Sequence, residues 1–216
     1  MRDLRTIARG DTLLGELKLG AFVSAMTTLL PPVLKGLYET YPQLEVLVTP
    51  GHSVELCRLV AAGELDAAFV VEPPFTIPKS CEWQSLMAEP IVLMAPRRWR
   101  DAEPLHLLKT EPYIRYDRKV LGGQLAERYL KAQGIRPLQR LEIDGLMAIS
   151  NLVAHEIGVS LVPDWAPMWQ ASLPISRIPL PGHVPVRRVG MIWARRGPRV
   201  SLVSKVLAQS QALMGT

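Results

Sequence analysis

Residues 16–71 read ELKLGAFVSAMTTLLPPVLKGLYETYPQLEVLVTPGHSVELCRLVAAGELDAAFVV, and the hydrophobic period switches repeatedly along them. In Glu16–Phe22, Leu17, Leu19 and Ala21 alternate with Glu16, Lys18 and Gly20, the period of two of a strand. Leu30, Val33, Leu34, Leu37 and Tyr41 then recur at helical spacing. Pro31 and Pro32 must lie in that helix's first turn or mark its start, because an interior proline breaks the hydrogen-bond ladder, and Pro42 ends it. Leu44–Thr49 returns to alternation, with Leu44, Val46 and Val48 on one face. Ser53 reads as the N-cap of a second helix through Ala62, closed by Gly63. Asp66–Val71 is a short apolar run of the kind a buried parallel strand shows. The order β-α-β-α-β predicts an open, doubly wound α/β sheet.

The same grammar restarts after the break at Pro73-Pro74. Strands are expected at Pro90–Pro96, Tyr113–Tyr116, Leu141–Ile143, Val159–Val162 and Val189–Ala194. Helices are expected near Gln124–Gln133, over Leu146–His155 and over Val200–Leu213. Residues 1–14 read as a helix tail, with Leu4, Ile7 and Ala8 at helical spacing. Seven or more strands alternating with helices, and restarting near residue 95, predict two lobes joined by crossing strands.

A chain of 216 residues with 48% hydrophobic and 21% charged side chains fills two cores of ordinary size. No apolar run reaches the ~18 residues a membrane span needs. The N-terminal Met1-Arg2-Asp3-Leu4-Arg5 lacks the apolar segment of a secretory signal. The expectation is a cytoplasmic protein with no membrane partner. Cys57 and Cys81 form no CxxC-type spacing and read as buried thiols. The scattered His52, His106, His155 and His183 offer no metal-ligand pattern, so neither metal nor cofactor is expected. The net charge of +5 is unevenly spread. Residues 1–92 carry 7 basic and 11 acidic side chains, residues 93–189 carry 14 and 9, and the last stretch carries 4 and none. A solvated basic face explains this, as does a bias toward small anionic ligands. No helix-turn-helix, zinc-finger or RNA-binding signature accompanies the charge. GxSxG, DxD and phosphate-loop motifs are absent too, so no catalytic residue is assigned and an enzyme is not expected.

In open α/β sheets ligands bind beyond the carboxyl ends of the strands, at helix starts. Ser24, Ala25 and Met26 follow the first strand, and Ser24 reads either as a helix cap or as a cap that also touches ligand. His52 in Gly51-His52-Ser53 is a solvated loop histidine or a contact from the second strand end. Val71 and Glu72 end the third strand. In the second half, Arg115, Tyr116, Asp117 and Arg118 follow a strand, and Gly122-Gly123 admit a close backbone approach. Arg115 or Arg118 can grip an anion bidentately or form a surface ion pair.

Several of these stretches resemble the effector (substrate)-binding domain of LysR-type transcriptional regulators. They are Gly15-Glu16-Leu17-Lys18-Leu19-Gly20, Ser24, Leu29-Leu30-Pro31, Tyr41-Pro42, Gly51 and Gly63-Glu64-Leu65-Asp66. Leu152-Val153-Ala154 and Gly158-Val159-Ser160-Leu161-Val162-Pro163 resemble the family's second-lobe helix–strand turn. The match in order and spacing runs from residue 15 to about 195. The resemblance implies two Rossmann-like α/β lobes joined by two crossing strands, a type II periplasmic-binding-protein-like fold. Residues 15–92 plus 190–216 would form lobe I and 93–189 lobe II, with 1–14 the remnant of a linker helix. It implies an effector pocket in an inter-lobe cleft, with contacts from Ser24 and its neighbours, His52, Val71 or Glu72, Gly122-Gly123, and Asp144-Gly145, while the basic excess and helix starts point to a small anionic effector. It further implies a homodimer of sensing domains and a tetramer in the intact regulator. DNA would be met only through a missing N-terminal winged helix-turn-helix. A transport solute-binding protein of the same fold is the alternative. Two departures stand out: His155-Glu156 replace the usual Ala-Gly at the second-lobe turn, and His52 replaces Ser or Thr.

Overall fold

The computed structural model describes residues 16–165 and 173–214. The helix expected over residues 1–14 lies outside the described residues. The described residues divide into two compact units, one of 16–87 with 189–214, the other of 88–165 with 173–188.

In the first unit, β1 (Glu16–Ala21), α1 (Val23–Thr28), α2 (Leu30–Thr40), β2 (Glu45–Pro50), α3 (Ser53–Ala61) and β3 (Ala67–Val71) follow in order. β1 lies between β2 and β3 and is parallel to both, as crossover helices require. Leu17 and Leu19 are fully buried while Lys18 between them is exposed. All five residues of β3 are buried, which explains its unbroken apolar run. α2 begins with Pro31 and Pro32 in its first turn and sends Leu30, Val33 and Leu37 inward, as its spacing predicts. β9 (Val186–Ala194) returns antiparallel to β3, and α7 (Val200–Met214) packs on α2. The α3 side of the sheet is a core of Leu56, Cys57, Val60, Ala68, Val70, Cys81 and Ile192.

The expected strand at Pro90–Pro96 is only the second half of β4 (Cys81–Pro96), which passes from the first unit into the second. Its first half has no clean alternation, because most of its residues are half-buried on both faces. The second unit adds α4 (Pro104–Thr110), β5 (Pro112–Tyr116), α5 (Leu121–Ala132), β6 (Leu138–Ile143), α6 (Leu146–Ala154), β7 (Ser160–Pro163) and β8 (Ile175–Pro179). β5 and β6 are parallel, a bridge joins Tyr113 to Val159, and β7 and β8 flank β4 antiparallel. Alternation along β4 feeds two cores. Ile91, Leu93 and Ala95 face Leu107, Leu108, Ala126, Tyr129 and Leu130, whereas Val92 and Met94 face Leu146, Ile149 and Val153. Helices therefore cover both faces of this sheet. α4 and β8 have no counterpart in the sequence reading, being short and bounded by prolines. α4 is capped by Glu103, whose carboxylate accepts from the Leu105 and His106 N–H groups.

Three helices end in the same way. After α3, the Gly63 N–H donates to Val60 O and the Glu64 N–H to Leu59 O; after α5, Gly134 donates to Lys131 O and Ile135 to Leu130 O. After α6, Glu156 donates to Val153 O (2.9 Å) and Ile157 to Leu152 O (3.1 Å). This is the Schellman arrangement, whose pivotal residue is left-handed. Gly63 and Gly134 have φ of +75° and +63°, and Glu156 has +60°. The departure at His155-Glu156 thus leaves the turn geometry intact and places a non-glycine residue in a costly conformation.

Candidate functional site

In the first unit the strand register aligns Ala21 with Pro50 on one side and Phe69 on the other. The turns leaving β1, β2 and β3 therefore emerge side by side at the carboxyl edge. The Gly51 N–H donates to Ala21 O and the Phe22 N–H to Phe69 O, tying the turns together. α1 and α3 both start here, so their first-turn N–H groups lie along the edge. The residue at the N-cap position of α1 is Phe22, and Ser24 lies one place inside the helix, buried. The Ser24 carbonyl accepts from the hydroxyls of Thr27 and Thr28, at 3.0 and 2.7 Å. Ala25 is buried and Met26 half-buried, with the Met26 N–H donating to Phe22 O.

His52, not Ser53, occupies the N-cap position of α3, and its ring is exposed. Ser53 serves the sheet instead of the helix, its buried hydroxyl accepting the Val71 N–H at 3.0 Å. That bond pins the start of α3 to the end of β3, where a bare N–H would otherwise lose a partner. Val71 is buried and Glu72 beside it exposed. Ser24, His52, Val71 and Glu72 thus belong to one edge of one sheet.

In the second unit, neighbours on β5 point to opposite faces. Arg115 faces α5, buried, in an ion pair with Glu127; its Nε donates to Gln139 Oε1 at 2.7 Å. Its guanidinium is therefore held among β5, β6 and α5, which corrects the expectation that Arg115 stands at the strand end. Arg118 does stand there, but Glu142 grips it bidentately at 3.0 and 2.7 Å and also takes its backbone N–H. Hydrogen bonds from Arg118 draw the Glu142 carboxyl down to about 2.

Tyr116 faces α6, buried, with its hydroxyl hydrogen-bonded to Arg187. Burial above all pushes that phenol up to about 12. Arg187 is 2% exposed and donates from Nε to Glu89 Oε2, itself 3% exposed, at 2.5 Å. Glu89 is raised above the ordinary carboxylate range because burial outweighs the opposing pull of Arg187. Asp144 and Glu89 both act electrostatically on Tyr116. Asp144 is exposed and accepts the Gly145 N–H at 2.7 Å; Gly145, at φ +99°, opens α6.

Gly122 and Gly123 are buried in the first turn of α5. A Cβ on Gly122 would stand 2.5 Å from the Tyr116 ring, and one on Gly123 2.0 Å from Asp117 O. The approach these glycines permit is that of α5 to its own strand. Sequence reasoning missed Glu89 and Arg187. Glu89 is a lone charge before an apolar run and Arg187 is one of a basic pair, and their pairing follows only from the neighbouring paths of β4 and β9. Among the described residues no three His, Cys, Asp or Glu side chains gather to hold a metal ion, and no helix is long and apolar enough to cross a membrane.

The model of the LysR substrate binding domain matches residues 10–214. The chain belongs to the LysR substrate-binding domain family. The HTH-type transcriptional regulator CzcR of Bacillus cereus is 30% identical over 156 residues, covering 72% of this chain and 52% of the regulator. The LysR-family chain thus spans about half the length of the curated relatives it matches. Two solved structures are similar in fold. A putative LysR family transcriptional regulator from Pseudomonas aeruginosa superposes with a TM-score of 0.79 at 19% identity, covering 97% of this chain and 74% of that one. The CcmR regulatory domain of Synechocystis, solved in complex with 2-PG, gives 0.77 at 19% identity, covering 93% and 97%. These neighbours share the type II periplasmic-binding-protein-like fold of LysR regulatory domains. The family and its relatives are transcription regulators rather than enzymes.

Proposed function

We propose that this LysR-family chain is the effector-sensing and dimerisation part of a cytoplasmic transcription regulator, which reads DNA through a helix-turn-helix domain. Its effector is a small anionic molecule held at the strand ends of its units. Residues Ser24, Ala25, Met26, His52, Val71 and Glu72 serve in the first unit, and Tyr116, Gly122, Gly123, Asp144 and Gly145 in the second. The observation that carries this reading is the alignment of the β1, β2 and β3 ends beside the starts of α1 and α3. Helix starts offer N–H groups and a positive dipole end to an anion. With Arg115 turned toward Glu127, backbone donors rather than a free guanidinium supply the attraction. The effector acts through its different affinity for two states of the dimer, or of a tetramer in the intact regulator.

The experiment is a thermal-shift and calorimetric screen of small carboxylates and phosphorylated acids against the chain, repeated with His52→Ala and Asp144→Asn. Both side chains are exposed, so the substitutions leave the fold in place. A hit whose affinity shifts at least about tenfold, ~1.4 kcal/mol, in either variant supports the reading, weakened in His52→Ala or strengthened in Asp144→Asn, which removes a carboxylate from beside the anion. A hit indifferent to both, or a screen in which only cations bind, refutes it.

A further inference from the structure

α5 and the turn leading into it carry a second cationic feature that the effector reading does not use. Arg118, Gln124, Glu127, Arg128 and Lys131 line a groove of about 490 Å³ on the second unit. Gln124, Arg128 and Lys131 recur at i, i+4 and i+7, so one stripe of α5 forms a wall. The charges along the groove do not cancel. Glu127 is neutralised by Arg115 beneath it, and Arg118 by Glu142 on β6. Arg128 and Lys131, both exposed, have no acidic partner among the described residues. The groove therefore presents two uncommitted cations and the Gln124 side-chain amide, over a floor whose own charges are paired. Its volume suits a small molecule, within the range of ordinary ligand sites. A duplex would instead need a longer basic track.

We propose that this groove is a second binding site, separate from the strand ends, for a compact phosphorylated small molecule. The phosphate sits between Arg128 and Lys131, with Gln124 donating to one of its oxygens. Arg128 supplies paired N–H donors and Lys131 a mobile point charge. Glu127 stays locked to Arg115, so it does not repel the anion as a free carboxylate would.

The test uses the whole chain, with inorganic phosphate and glycerol 3-phosphate as probes, titrated by calorimetry at an ionic strength held constant with sodium chloride. Saturable binding of glycerol 3-phosphate is expected, weakened at least about tenfold in the Arg128→Gln/Lys131→Gln variant. Lys205→Gln, which removes one exposed positive charge on α7, is expected to leave it unaltered. His52→Ala should also leave it unaltered, which separates this site from the strand ends. Binding that fails to saturate, or that responds equally to Lys205→Gln, overturns the proposal. So does a double variant that binds like the parent, or a duplex oligonucleotide that displaces glycerol 3-phosphate through Arg128 and Lys131.

Discussion

The left-handed turn after α6 makes a quantitative prediction about Glu156. A non-glycine residue held at φ +60° costs roughly 1–2 kcal/mol relative to the right-handed region. Glycine avoids that cost but gives back ~0.4–1 kcal/mol through its freer unfolded chain. Glu156 also pairs with Arg98, whose guanidinium stacks over Trp99 at 4.5 Å from the ring centroid. The pair is about half exposed on both sides, so solvent screening limits it to roughly 0.5 kcal/mol. Glu156→Gly should thus stabilise the second unit slightly, by about 0.5 kcal/mol, the strain released exceeding the pair lost. Glu156→Ala keeps the strain, loses the pair, and should destabilise by about the same amount. The sharper quantity is the difference between the two variants, about 1 kcal/mol, which for a chain of this size is ~2–4 °C. Urea unfolding followed by circular dichroism measures it. Arg98→Ala in each background then separates pair from strain, costing more in the parent chain than in the Glu156→Gly variant, where only the stacking on Trp99 is lost. An alanine variant as stable as the glycine variant would refute the claim that this turn stores backbone strain.

Further outcomes follow from the buried groups. Arg187→Ala should cost about 3–5 kcal/mol, because it strands Glu89 in a site 3% exposed, whereas Arg187→Met with Glu89→Met should recover much of the loss; a denaturation double-mutant cycle measures this. Gly123→Ala should be severely destabilising, its Cβ meeting Asp117 O at 2.0 Å where only backbone can yield; normal expression and melting would contradict it. The Glu142 carboxyl is lowered to about 2, so its stabilising contribution is present above 4.5 and is lost as pH falls toward 2. The gap in urea midpoint between the parent chain and Glu142→Gln should therefore close over that window. Burial pushes the Cys57 thiol up to about 11, and Cys81 is buried too. Neither should react with an aromatic disulfide reagent at pH 8 until the chain is unfolded.

Much of the first unit was legible because its periods are pure. Leu17 and Leu19 alternate with Lys18, and Leu30, Val33 and Leu37 keep a helical stripe. The family resemblance rested on turn residues whose spacing those elements fix. Long-range partners were not legible. Ser53 looks like a cap on local grounds, yet its hydroxyl serves Val71, eighteen residues on. Arg115 and Tyr116 look equivalent beside each other, but strand alternation sends one to Glu127 and the other to Arg187. Glu89 and Arg187 lie 98 residues apart, and no local pattern joins them. The first half of β4 escaped notice because half-burial on both faces leaves no period to read.

The discontinuity of the first unit has a consequence for how the chain is made. β3 is buried throughout, and its antiparallel neighbour is β9, which leaves the ribosome only after the entire second unit. At ordinary elongation rates the wait is on the order of 10 s. Through that interval Ala67–Val71 is an apolar strand without β9 beside it, a template for pairing with another nascent chain. The second unit, continuous in sequence, is free to fold meanwhile. Yield of the intact protein should therefore depend on chaperone supply during synthesis more than its equilibrium stability suggests, and a circular permutant that places β9 and α7 ahead of β1 should relieve that dependence.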